Sequence, residues 1–323
     1  MSSVTYAQLG GLRSAGKKLT QKALGDDAPA TSSKVADRGF TSPVHEKYQG
    51  QIVLSSQEIE NSGISDEIFS DNFTLGNSIF LRVFLKESLL NAMLELKNVD
   101  HSIAYAQGGY NMIMTLDDQH KTTRILYMKS LFEEEEFKTW TTWRGALDAD
   151  GKTNYIGVAE FRDFIAEQDS YLTVGAHKVK IELYPSMIGD IMENAAPLAT
   201  GSFTLNVNEN SIDPNDTYLC LPAKGQEDAK LEAEIIEAFK KKEWKEQPQK
   251  AIITSSDWLI VKNNLTGIPL RRLLTATVAS TREGKCIMQS FDFAQEFDGT
   301  GYTGKLYLYS VGSQDKIPCA CME

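Results

Sequence analysis

The string Gly299-Thr-Gly-Tyr-Thr-Gly-Lys305 fits G-x-G-x-x-G and, at the same time, G-x-x-x-x-G-K. Both spacings serve phosphate chemistry, because glycine lets backbone N–H groups approach a phosphate at a helix N-terminus. The surroundings point elsewhere. Leu306 stands where a serine or threonine would hold magnesium, and the residues from Leu306 to Ser310 read as a strand, not a helix. Asp298-Gly299 is a common hairpin turn pair. The string is expected to reverse the chain between two strands and to bind no cofactor.

The cysteines are the next group with chemistry. Cys220, Cys286, Cys319 and Cys321 allow three pairings, and spacing alone does not choose among them. Cys286 opens a strand-like run and Cys319 follows Pro318 near the C-terminus, which makes Cys286–Cys319 a candidate disulfide. In an oxidising compartment such a bridge adds about 2–4 kcal/mol. Four free thiols in a reducing cytosol are the alternative. Cys319-Ala-Cys321 lacks the second ligand pair that a structural zinc site needs, so no metal is expected there.

His45, His101, His120 and His177 stand far apart in sequence, and no H-x-x-x-H or G-x-S-x-G string occurs. Asp148-Ala-Asp-Gly-Lys152 has the look of a calcium loop. With Gly151 at loop position 6, Ala146 and Gly157 fall on two ligand positions, so a turn is the better reading. Trp140, Trp143 and Arg144 form a candidate binding surface for a carbohydrate or peptide. The odd spacing of the two tryptophans puts them on opposite faces of a strand, which favours core packing for at least one.

These residues need elements to position them. Residues 1–48 read as a flexible N-terminal arm: Leu9, Leu12, Leu19, Ala23 and Leu24 lie among Arg13, Lys17, Lys18 and Lys22, the pattern of a short basic amphipathic helix that could dock a partner or membrane surface, but Gly10, Gly11 and Gly16 weaken it and favour a solvated tail. Folding signals start near Gln49. Runs at Gln51–Ser55 and Ile79–Leu85 read as strands, with Phe80 and Phe84 implying burial on both faces. Leu89–Leu96 is a short helix or strand. Tyr110–Leu116 and Thr123–Met128 form a hairpin turned by Asp117 to His120, and Thr139–Arg144 reads as a further strand. The acidic run Glu133–Glu136 reads as a solvated face. His177–Tyr184 and Ala199–Asn208 alternate apolar with polar residues, as antiparallel strands with one wet face do. After a linker at Pro214–Gly225, Asp228–Lys242 has Leu231, Ile235, Ile236 and Phe239 at helical spacing. Strand-like runs then follow to the C-terminus.

The fold expected is mainly β: antiparallel β-sandwich domains plus a C-terminal α+β domain of one helix followed by an antiparallel meander. The boundaries are 1–48 for the arm, 49–147 for a sandwich-like domain, 148–215 for a second β-rich segment that could belong to it, and 226–323 for the α+β domain.

Composition bounds the function classes. The chain has 323 residues, 33 Lys and Arg against 44 Asp and Glu, and a net charge of −11. That balance argues against a nucleic-acid binder, which needs a basic face. No apolar run is long enough for a transmembrane helix. Thr5 and Ala7 sit where a signal peptidase would read them for a cut before Gln8, so the chain is a candidate for export. Asn72, Asn215 and Asn264 open glycosylation sequons, which matter only in a eukaryotic secretory pathway.

The strings Ser256-Asp-Trp258, Asn264-Leu-Thr-Gly267, Arg271-Arg272, Gly284-Lys-Cys286 and Ile317-Pro-Cys319 resemble the C-terminal domain of uncharacterised exported proteins of Bacteroidota-type bacteria. Ala7-Gln8 is similar to their cleavage ends, and Gly76–Phe84 to the opening strand of their β-sandwich part. The resemblance implies export and β-rich domains, and it supplies no activity or functional residue.

The function expected is that of a non-catalytic exported binding or assembly protein. It would meet a protein or cell-envelope partner through its arm, in the periplasm, at the cell surface or outside the cell. A hydrolase-like enzyme whose carboxylates converge only in the fold, and a cytoplasmic structural subunit of a large assembly, are the alternatives.

Overall fold

Val179, Ile181 and Leu183 on one strand, and Phe203, Leu205 and Val207 on its neighbour, are all buried, while the residues between them are not. This period of two puts one face of the pair against a core. The computed structural model describes residues 33–149, 152, 154–209, 211, 212 and 219–322. The N-terminal strands are β1 (Gln51–Ser55), β2 (Asn72–Thr74), β3 (Ile79–Phe84), β4 (Gly108–Leu116), β5 (His120–Tyr127), β6 (Thr142–Asp148), β7 (Gly175–Met187), β8 (Asp190–Ile191) and β9 (Ala199–Val207). They form one sheet in the order β5-β4-β7-β9-β1-β3-β6, with β2 also on β9 and β8 on β7. The segment expected at 148–215 thus completes the sheet begun at 49–147, because β7 and β9 lie between β4 and β1. Most pairings are antiparallel; β1 and β2 run parallel to β9.

The sheet curls. β4 and β6 are five places apart in strand order, about 24 Å if the sheet were flat. Yet the rings of Tyr110 on β4 and Trp143 on β6 lie 5.9 Å apart. The two halves therefore face each other as a sandwich does, around a core that includes Leu54, Leu81, Val83, Met112, Met114 and Ile181. Every residue of β3 is buried, because helices and loops cover its outer face too.

The helices are α1 (Pro43–Lys47), α2 (Leu89–Leu96), α3 (His101–Gln107), α4 (Met128–Leu131), α5 (Glu134–Thr139) and α6 (Val158–Gln168). Ser88 caps α2, its hydroxyl accepting from Asn91 N at 3.3 Å. Thr139–Arg144 is not the expected strand. Thr139 ends α5, Trp140 caps it, and β6 starts at Thr142. The Glu136 carboxylate accepts the Glu133 N–H at 2.9 Å, so the acidic run opens a helix whose N-terminus favours negative charge. α6 buries Val158, Phe161, Phe164 and Ile165 and packs against both edge strands, β5 and β6. It closes the gap where the curled sheet's edges face each other. Its approach depends on Gly145. A Cβ there would lie 2.2 Å from the Ile156 carbonyl oxygen, which accepts the Ala146 N–H at 3.0 Å.

Residues 33–48, placed with the arm by sequence, lie against this domain. His45 is fully buried. Its Nε2 faces the Leu85 carbonyl at 2.8 Å and its Nδ1 faces the Thr41 N–H at 3.2 Å. One contact demands a proton and the other forbids it, so the ring is neutral. Burial, foremost, holds its pKa below the ordinary histidine value.

The C-terminal unit holds α7 (Ala229–Lys240), β10 (Gln247–Ile253), β11 (Leu259–Lys262), β12 (Pro269–Arg282), β13 (Lys285–Glu296) and β14 (Tyr307–Lys316). This is one helix followed by an antiparallel meander. β10 and β11 lie end to end along one edge of β12. α7 packs Leu231, Ile235 and Phe239 on Leu274, Ala276, Val278, Phe291 and Phe293. Each such large side chain, once buried, contributes about 1.5–3 kcal/mol.

Disulfides join Cys220 to Cys321 and Cys286 to Cys319. Both sit in a small core with Leu219, Leu221, Ile252, Ala279 and Ile317. Lys316 Nζ lies 2.8 Å from Glu167 Oε1 on α6, and the Cys319 N–H donates to Asp169 Oδ2 at 3.0 Å. Among the described residues no helix is long and apolar enough to cross a membrane.

A hairpin latch gives this fold a pH signature. His177 Nδ1 lies 2.8 Å from Asp117 Oδ2, and Nε2 lies 2.7 Å from the Thr173 carbonyl. Both partners only accept, so the ring carries two protons. Burial opposes the charge on both members of the pair, but their hydrogen bond and attraction outweigh it. The His177 pKa is raised and that of Asp117 is lowered. The stabilisation is present between the ordinary Asp and His values. It fades as pH rises through the raised His177 pKa, and again as pH falls through the lowered Asp117 pKa. In urea titrations, His177→Gln is expected to destabilise the protein most near pH 5–6 and progressively less toward pH 9. A deficit that is constant over that range contradicts the latch.

Candidate binding surface of the C-terminal sheet

The end of the sheet opposite the disulfides carries a projecting hairpin made of β11, the first residues of β12 and the turn between them. The turn is firmly built. Asn263 Oδ1 accepts from Leu265 N at 2.9 Å and Thr266 N at 3.1 Å, while Asn263 N donates to the Ile268 carbonyl at 2.8 Å. An ordered turn of this kind would commonly display polar side chains. Here Leu265 is 96% exposed, Leu259 65% and Ile268 56%, and Ile260 and Leu270 are exposed as well. Single exposed aliphatic residues need no explanation; five on one ordered hairpin, with Leu259 and Ile260 on opposite faces of β11, make it the most apolar exposed element among the described residues.

The base of this finger is clamped by Arg272. Its guanidinium lies 4.0 Å from the Trp258 ring centre and 5.0 Å from that of Tyr302. Its Nε and Nη2 donate to Gln295 Oε1 at 2.8 and 2.5 Å. Cation–π contacts to two rings, with a two-pronged hydrogen bond to Gln295, suit arginine and not lysine. They lock β11, β12, β13 and the loop after β13 to one another.

That loop is the glycine-rich string, and it links antiparallel β13 to β14. Asp298 organises it. Its Oδ1 accepts from Thr300 N, Gly301 N and Thr300 Oγ1 at 2.9, 2.9 and 2.8 Å, and its Oδ2 accepts from the Thr303 hydroxyl. The amides that a phosphate would use are thus occupied by the chain's own carboxylate. These hydrogen bonds, that of Thr303 first, hold the Asp298 carboxyl far below the usual range. A fixed negative charge at the centre of the loop also repels a phosphate.

A cleft of about 580 Å³ runs between this loop and the outer stripe of α7. Lys230, Glu234, Glu237 and Lys241 form one wall, Tyr302 and Lys305 the other, and Gln295 lies between. On the sheet face away from α7, Asp292 accepts from Thr275 Oγ1 at 2.8 Å and Ser310 Oγ at 2.6 Å, which pins three strands together. Arg271 meets Glu296 at 3.5 Å and lies 5.3 Å from the Tyr309 ring centre.

The structure does not gather Trp140, Trp143 and Arg144 into one surface. Trp143 is buried against Tyr110, Trp140 packs on Phe132, and Arg144 points from the opposite face of β6 to Glu58 at 2.8 Å. The strand alternation that parts Trp143 from Arg144 is the reason. Cys286 and Cys319 are bonded to each other beside the joint between the sheets. Of the Asp148–Lys152 string, residues 150 and 151 lie outside the described residues, as do residues 1–32 of the arm. Among the described residues no group of three His, Cys, Asp or Glu side chains is placed to hold a metal. The finger escaped sequence reading because Leu259–Lys262 and Leu270–Leu274 carry the pattern of ordinary buried strands. The one cue was Asn263-Asn-Leu-Thr-Gly267, turn residues that enclose a leucine.

Asp298→Ala should release the loop. Amide hydrogen exchange at Thr300 and Gly301 is expected to accelerate, while exchange in β12 stays unchanged. Unchanged exchange at those two amides would show that the carboxylate does not hold them. In comparisons with known proteins, no protein-family model matches this chain and no curated protein matches it.

Proposed function

We propose that the chain is a non-catalytic, exported binding or assembly protein that presents its C-terminal finger to another protein. The observation that carries this reading is the ordered hairpin with Leu265 at its tip and Leu259, Ile260, Ile268 and Leu270 around it. Keeping these side chains in water is unfavourable by about 25 cal/mol per Å² of apolar surface, and a partner's apolar surface removes that burden. Two disulfides support a place outside the reducing cytosol. The carboxylates that gather near α6 are engaged structurally. Asp163 and Glu167 pair with Arg124, Glu167 also pairs with Lys316, and Asp169 accepts a backbone N–H. None is held ready for acid–base work.

Two measurements test this. Protein isolated from its native compartment and unfolded without reductant should show no reactive thiol; four reactive thiols would overturn export. Leu265→Asp combined with Ile268→Asp should leave the circular dichroism spectrum unchanged. The pair should lower either self-association in sedimentation experiments or retention on native cell-envelope preparations. Equal behaviour of wild type and variant in both assays refutes the finger as a docking element.

A further inference from the structure

The cleft between α7 and the glycine-rich loop contains a polar group that the fold leaves unused. Gln295, on β13, is only 8% exposed and lies between the two walls. Its Oε1 accepts both hydrogen bonds from Arg272. A guanidinium carries no acceptor, so the amide oxygen must be the atom that faces it. The Nε2 group is thereby turned away from Arg272, and its two N–H donors meet no acceptor among the described residues. A nearly buried donor in this position is unfavourable unless solvent or a ligand accepts from it.

The walls carry an ordered pattern of charge. Lys230, Lys241 and Lys305 are exposed, and none forms an ion pair with a described residue. Of the two acids on the α7 wall, Glu237 lies 3.0 Å from Lys240, which leaves Glu234. Three lysines against one free glutamate make a positive site on a chain whose net charge is −11. Positions 230, 234, 237 and 241 recur every three or four residues and so form one stripe along α7 and its cap. The stripe reads basic, acidic, acidic, basic. Its two lysines are about 16.5 Å apart along the helix axis.

We propose that this cleft binds an extended peptide of a partner protein, with acidic side chains about five residues apart around an uncharged or basic centre. Five steps of extended chain cover about 16.5 Å, the spacing of the two α7 lysines. The end acids then meet Lys230 and Lys241, the centre faces Glu234 without adding negative charge, and a peptide carbonyl accepts from Gln295 Nε2. Lys305 closes the site from the loop side, and Asp298 is not among the lining residues. Other ligand classes fit less well. A small anion cannot touch both α7 lysines. A run of phosphates would be set against Glu234 and Glu237. A sugar ring would need an open aromatic face, and the Tyr302 ring is already engaged by Arg272 at 5.0 Å and Phe297 at 5.2 Å. This site is separate from the finger, and either can bind without the other.

Titration of the full-length, nitrogen-15-labelled protein tests the site. The probe is an acetylated, amidated hexapeptide with aspartate at both ends, lysine in third place and alanine elsewhere. Resonance shifts are expected at the Gln295 side-chain amide and at residues 230–241 and 302–305, and not at the finger tip, residues 263–267. A hexapeptide with its two aspartates adjacent should bind about fivefold more weakly. Lys230→Glu with Lys241→Glu, both at the surface, should weaken binding of the first peptide about tenfold and leave the circular dichroism spectrum unchanged. Glu234→Lys should reverse the preference, so that a hexapeptide of aspartate alone binds more tightly than the lysine-centred one. No shift at the Gln295 amide with about 5 mM peptide, shifts centred on the finger, or tighter binding of tripolyphosphate than of the peptide each overturn the proposal. Equal affinity of the double variant and the wild type does the same.

Discussion

Glu167 is the point at which the two sheets are fastened. Its carboxylate takes hydrogen bonds from Thr122 on β5 and Lys316 on β14, and pairs with Arg124 at 3.0 Å. Burial opposes its charge, but these donors and the Arg124 charge draw its pKa down to about 2. The residue sits on α6, which also plugs the gap between the edges of the curled sheet. One helix thus closes the N-terminal core with Phe161, Phe164 and Ile165 and receives the C-terminal unit with its polar end. Its position rests on a glycine. Only without a Cβ at Gly145 can the turn before α6 come close enough to bond β6.

An ion pair of this kind is weak when both partners are free to move, worth about 0–1 kcal/mol at the surface. The disulfides change that. β14 ends at Lys316, and the chain is then tied at Cys319 to Cys286 and at Cys321 to Cys220. Lys316 and the Cys319 N–H are therefore held near Glu167 and Asp169 before any contact forms, and little further entropy is lost on docking. The covalent ties and the polar joint act as one device. The ties order the donors, and α6 supplies the acceptors.

Much of the fold is legible in local pattern. The strict alternation from Val179 to Leu183 and from Phe203 to Val207 marks two core strands, and the two-faced apolar run at Ile79–Phe84 marks a strand buried on both sides. Leu231, Ile235 and Phe239 with an acidic cap at Asp228 mark α7. Residues whose role depends on partners distant in sequence were not legible. Glu167 and Lys316 are 149 positions apart, and nothing in either neighbourhood announces the other. The tryptophans misled because the Glu133–Glu136 run, read as a solvated face, nucleates a helix that carries Trp140 off the strand. The glycine string was legible because Asp298 and the flanking strand patterns are local. The finger was illegible for the converse reason: its residues have strand propensity, and only the tertiary arrangement shows that nothing within the described chain covers them.

The geometry of β12 connects these parts. Its 14 residues span about 45 Å. At one end Thr281 and Arg282 pair with Cys286 and Lys285, beside the disulfides and the joint; at the other, Pro269 pairs with Lys262 at the base of the finger. Between these ends β12 is hydrogen-bonded along both edges, to β10 and β11 on one side and to β13 on the other. A strand so held does not bend independently of its neighbours, and α7 stiffens the sheet from one face. The joint thus fixes one end of a rigid lever whose far end carries Leu265 into solvent. The disulfides at the joint, the Arg272 contacts at the base of the finger and the Asn263 turn at its tip lie in succession along this one strand direction, so each restrains the segment that the next depends on.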